Sequence, residues 1–381
     1  EHAFGMVAGA GATAVNKNSG ESAGITVNAG EKETNTAIGM LAETGATKST
    51  TTLTNDGKIA VTKGIGISVT GDGEAEVTFG EAGTITVEDD ASNIGINIAG
   101  TGTTTVTGAA ITLAGAGTGI NAGGNVTLKD IAITLSEAAT GTGIKYDGGE
   151  KEAKAEISTT NIDVKASGAT GIDATMSKVA ESTLNIKTGI ISTVNAGATG
   201  IKIAGSGETI EAPKDGVQKT TATVTTTLGT TAGTGVEVKG AEYSGITVNI
   251  GDDNGTSTAA ATKAEVSDSL TKESSNTEVS GTGVKIKGEE DGGVIVNVNQ
   301  ENLEVKGGAK LVKVEDSSAG DVTINTEKAV ELFTTANLVD IGNAGGNITV
   351  NLKADGQTVA TGSLVNVGEI TGTTNVNINK D

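Results

Sequence analysis

One short pattern, Gly-(Ile/Val)-x-(Ile/Val), returns along the chain at intervals close to one turn of a solenoid, and this constrains the fold more than any other feature. It stands at Gly66-Ile67-Ser68-Val69, Gly95-Ile96-Asn97-Ile98 and Gly119-Ile120-Asn121-Ala122, and again from Gly143, Gly171, Gly200, Gly235 and Gly283. Two earlier relatives open the series, Phe4-Gly5-Met6-Val7-Ala8 and Ile38-Gly39-Met40-Leu41-Ala42. In the last three copies, beginning at Leu311, Leu338 and Leu364, leucine replaces the glycine. Most intervals are 24 to 29 residues, with longer ones of 34, 35 and 48. Each interval holds one or two further runs that alternate apolar and polar residues, such as Asn125-Val126-Thr127-Leu128 and Val322-Thr323-Ile324-Asn325. Alternation of period two is the signature of a strand, and Gly, Asn, Asp and Ser between the runs supply turns.

Three short strands per coil, stacked coil on coil, make an all-β fold: a right-handed parallel β-helix, or β-solenoid. Thirteen anchors give about 12–13 coils and a single rod spanning residues 1–381. At the ordinary strand spacing of about 4.8 Å the rod is roughly 60 Å long. Insertions are expected where intervals lengthen: the main one around residues 252–276, smaller ones near 147–155 and 206–221, the last holding the lone Pro213.

The columns of the repeat sort into inward and outward sets. The second position holds only Ile or Val in the last eleven copies, and the fourth is apolar except for Tyr146. A phenol facing the core needs a hydrogen-bond partner. Between these columns lie Lys145, Asp173, Lys202, Glu237, Lys285, Lys313 and Asp340, whose signs alternate except at Lys285 and Lys313. That ordering is cross-strand charge pairing, a structural role. Composition suits the same architecture: 58 glycines and only five aromatic residues leave Ile, Val and Ala to fill a narrow core.

Function classes fall away in turn. The net charge of −21 makes nucleic acid a poor partner, since phosphate binding relies on clustered Lys and Arg. With no cysteine there is no thiol catalysis, disulfide or thiolate metal site. Pectin-cleaving hydrolases of β-helical shape use several aspartates with a histidine and an arginine. Here the only histidine is His2 and there is no arginine, so an enzyme is not expected. Asp89-Asp90 and Asp252-Asp253 could pair for acid–base work but are better explained as solvated turns. Asp252-Asp253-Asn254-Gly255 resembles a calcium loop without its alternating acids and distal Glu, so neither metal nor cofactor is expected. Thr103-Thr104-Thr105 and the run from Thr223 to Thr227 raise ice binding, yet no long paired Thr-x-Thr ladder is visible. The best contact candidates are Tyr243, in a turn-like segment, and Asp252, Asp253 and Asn254 on the largest insertion, because recognition concentrates on loops held by a rigid scaffold.

The Gly-Met-(Val/Leu)-Ala motif with a following Gly-Ala-Thr, then Gly-Ile-x-(Val/Ile) with Val-Thr-Val-type strands, resembles the passenger regions of large type V autotransporter adhesins, especially the giant fusobacterial outer-membrane adhesins. The resemblance implies export through the periplasm, a monomeric rod exposed on the bacterial surface, and attachment to a glycan or protein receptor on host cells or other bacteria. It implies no direct membrane insertion by this segment, because a separate C-terminal barrel anchors such proteins.

Overall fold

A computed structural model describes residues 2–17, 24–30, 36–45, 49–206, 220–241, 244–251, 264–267, 281–287, 293–301, 303–315, 321–333, 335–342, 344–353, 358–359, 362–369 and 371–379. Every ladder between strands is parallel, and the described residues contain no helix. The chain is a parallel β-helix of thirteen coils. The repeat motif forms its first face, a 13-stranded sheet running from His2–Ala8 to Ser363–Val367. The other 21 strands share one hydrogen-bonded network that covers the second and third faces.

These two faces are joined because three strands per coil is not the rule throughout. In four consecutive coils the second and third strands merge into one long strand that rounds the corner: Val126–Leu135, Lys154–Val164, Thr183–Thr193 and Thr220–Thr231. The first of these turns at Asp130, whose φ is +54°, and its ladder register slips between Leu128 and Ile131. One residue in the left-handed region redirects the strand without ending it.

The register matches the motif position for position. Ile96 opposes Ile67 and Ile120, Ile144 opposes Ile120 and Ile172, and the series continues through Ile201, Val236, Val284, Val312 and Val339. All of these side chains are fully buried. A stacked Ile or Val in every coil therefore builds one continuous core from residues that alternate in sequence with polar ones.

The motif glycine has its own geometry. In each coil the ladder pairs the residues on either side, as in Thr118 with Thr142 and Ile120 with Ile144, and passes over the glycine. A Cβ on Gly143 would stand 2.5 Å from the carbonyl oxygen of Gly171, and one on Gly171 2.5 Å from that of Gly200. In these coils only a residue without a side chain fits the corner. Where leucine takes over at Leu311 and Leu338, its side chain is buried beneath the coil above, with Leu311 Cδ1 3.0 Å from the Cβ position of Gly283.

Two sequence expectations change. The Lys285–Lys313 juxtaposition exists in the register, but Glu315 lies between the two cations, 3.2 Å from Lys285 Nζ and in direct contact with Lys313. Burial raises the Glu315 carboxyl, and the hydrogen bonds and attraction of Lys313 and Lys285 outweigh it, so its pKa lies below the usual value. The 252–276 insertion is not one continuous loop. Residues Ala264–Ser267 form a strand of the third face, paired with Leu303–Lys306 and, through Val266, with Thr231.

Candidate functional site

Tyr243, Asp252, Asp253 and Asn254 all lie outside the described residues. What is described is the point where the chain leaves the wall. Gly251, with a φ of +96°, is the last residue before 252–263, and its N–H donates to Thr226 O at 2.8 Å. A Cβ on it would meet Gln300 N at 2.6 Å, so the corner is closed against any larger residue.

Gln300 seals the same corner. Its side-chain oxygen accepts from Leu228 N–H and its amide donates to Leu228 O, each at 2.9 Å. Leu228 belongs to the coil before the insertion and Gln300 to the coil after it, 72 residues on. The carboxamide thus satisfies both backbone groups of a buried residue where no described backbone of the intervening coil does so.

Of the two acidic pairs only Asp89-Asp90 lies among the described residues, and its bonds are those of turns. Asp90 accepts from the Ser92 backbone and hydroxyl at 2.8 and 2.6 Å, which holds its exposed carboxyl below the usual pKa. Asp89 accepts from Ala116 N–H in the next coil at 3.2 Å. Among the described residues no three His, Asp or Glu side chains gather as metal ligands. Tyr146 is buried, and its hydroxyl donates to Gly124 O at 2.9 Å, which supplies the partner its position demands. Burial, with the nearby Asp147 carboxylate, raises its pKa to about 12. The crevice beside it, lined by Ala153, Met176, Ser177 and Ser182, has no room for even a water-sized sphere. Pockets for small molecules run from about 300 Å³ upward.

The second face carries an arrangement that sequence reasoning missed. Its outward side chains stack in two columns along the rod. In the last six coils one column reads Thr225, Asn249, Asn297, Asn325, Asn351 and Asn377. The other reads Thr223, Thr247, Ile295, Thr323, Thr349 and Asn375. Each asparagine from Asn297 onward donates its amide to the side-chain oxygen of the asparagine before it, always at 2.8 Å. The twelve side chains include no charge, in a chain whose net charge is −21. On the first face a single threonine column, Thr118 through Thr282, runs over six coils, but charged residues flank it rather than a second threonine column. The signal for the asparagine ladder was present as Val-Asn and Ile-Asn pairs, yet unequal intervals hide which of them align.

No protein-family model matches the chain, and neither does any curated protein or solved structure.

Proposed function

We propose that this chain is the exposed rod of a bacterial surface adhesin of the autotransporter type, holding binding loops away from the cell for contact with a glycan or protein receptor. The observation that carries the reading is the combination, among the described residues, of an unbroken core with a wall that the chain leaves at a corner. Ile or Val is buried in coil after coil, while the largest insertion departs at Gly251 from a wall closed behind it by Gln300. Such a body keeps its shape while a loop varies, the division of labour expected of a scaffold for recognition.

The test is attachment of the intact chain to host epithelial cells and to partner bacteria. It is compared with a variant in which residues 252–263 are replaced by a short Gly-Ser link. Attachment by the parent that falls in the loop variant supports an adhesin whose specificity lies on the loop. A parent that attaches to no cell type overturns the adhesin reading in favour of a stalk that displays a binding head elsewhere. That second reading draws on the same unbroken core.

A further inference from the structure

We propose that the two uncharged columns on the second face of the last six coils are a binding surface for an extended, neutral polysaccharide lying along the rod axis. The surface is separate from the insertion loop and does not depend on the rod's cellular role.

Four observations define the partner. First, the two columns are neutral on a strongly acidic molecule, with the charged Asp321, Glu327 and Lys353 standing beside them. A polycation would be drawn to the acidic surfaces elsewhere and a polyanion repelled by them, so this strip suits a ligand without charge. Second, its chemistry is amide and hydroxyl. The ladder uses one N–H of each asparagine internally, leaving the second N–H and part of the oxygen's capacity facing outward. Thr323 and Thr349 stand beside these amides, half-exposed, with their hydroxyls directed away from the core. Third, the donors repeat at about 4.8 Å along the rod and about 6.7 Å across it. A ladder of identical groups rewards a ligand that is itself a repeat. Fourth, the strands bearing both columns stay in register through all six coils, so a ligand docks along them without entering a cleft.

A second copy of this chain fits less well. Six coils span about 24 Å, and two columns of side chains offer a few hundred Å², well under the roughly 800 Å² per partner of a standard protein interface. A chain of equatorially linked sugars presents hydroxyls at a spacing near the coil repeat. It gains from each coil a weak contact that adds along its length.

The experiment measures retention of the intact 381-residue chain on cellulose and on chitin, and its affinity for soluble cello- and chito-oligosaccharides from disaccharide to hexasaccharide. Three variants accompany it: Thr247→Glu/Thr323→Lys on the second face, Thr86→Glu/Thr134→Lys at matched outward positions of the third face, and the 252–263 loop replacement. Thermal melting establishes that each is folded. The expected result is retention of the parent, with affinity rising about tenfold or more with oligosaccharide length. Binding should be lost in the second-face variant and kept in the third-face and loop variants. The proposal is overturned if neither polysaccharide retains the parent, or if the folded second-face variant binds as the parent does. Loss of retention in the loop variant alone would move the site to the insertion and overturn it as well. So would inhibition of ice recrystallisation without polysaccharide retention, which would assign the array to ordered water.

Discussion

Replacing Gln300 by leucine tests whether a side chain stands in for backbone at the insertion corner. The two shapes are similar in size, but leucine offers neither the acceptor for Leu228 N–H nor the donor for Leu228 O. Leu228 is fully buried and Gln300 nearly so, which leaves little room for water to take over. An unsatisfied buried group costs about 1–3 kcal/mol, so two cost roughly 2–6 kcal/mol. Stability in a solenoid is close to a sum over neighbouring coils, so the loss is concentrated at this corner. Amide hydrogen exchange at Leu228 reports it directly and should quicken at least about thirtyfold, with a smaller shift in the urea midpoint of the whole chain. Gln300→Glu is the informative companion. Protonated, its carboxyl can accept from Leu228 N–H and donate to Leu228 O. Burial raises the pKa of that carboxyl above its unfolded value near 4.3, so the variant's stability is full below that pH and falls as pH rises through the folded pKa. If Gln300→Leu keeps the Leu228 amide protected, or Gln300→Glu shows no rescue in acid, the carboxamide is not a structural bridge.

Three further outcomes follow from single contacts. Because the Tyr146 pKa is raised from 10.0 to about 12, the folded state holds this proton more tightly than the unfolded chain does. Its stabilisation is complete below about pH 10 and is lost as pH climbs toward 12; alkaline melts of Tyr146→Phe should lack this decline while costing about 1 kcal/mol near neutrality from the lost bond to Gly124. Glu315 has a depressed pKa, so its contribution is present above the unfolded value and fades as pH falls through the folded one. Melting temperatures from about pH 6 down to about pH 3 should therefore drop further for the parent than for Glu315→Gln, which leaves Lys285 against Lys313 at every pH. The Thr159 hydroxyl is buried without a hydrogen-bond partner, so Thr159→Val should leave urea stability unchanged or raise it by about 1 kcal/mol; a clear loss would reveal a bond to water.

The architecture was legible because one column never varies in kind. From Ile67 onward, an Ile or Val stands at the same place in each copy, and burial in every coil but the last makes that uniformity a physical requirement. Charge pairing was legible in the outward column beside it, as in Asp173 with Lys202 at 3.7 Å. The Glu315 bridge was not, because it reaches across from the next outward position. The merged strands were hidden because Asp130 adopts its turn inside a run that still reads as extended. Asn249 to Asn377 could not be aligned from unequal intervals, although the stacked bonds are regular in space. Gln300 was out of reach altogether, since its partner lies 72 residues away and matters only because an insertion intervenes.

The corner glycines bear on how such a chain changes length. The Cβ position of Gly95 meets the carbonyl of Gly119, that of Gly143 meets Gly171, and that of Gly171 meets Gly200, so the contact is the same whichever of these coils comes next. Loss or duplication of one complete turn in this stretch joins a glycine to an equivalent glycine and leaves the seam intact. Loss of half a turn sets a side chain against a carbonyl. Length in this molecule is therefore counted in whole turns, and recombination between its own repeats is a change the fold can absorb.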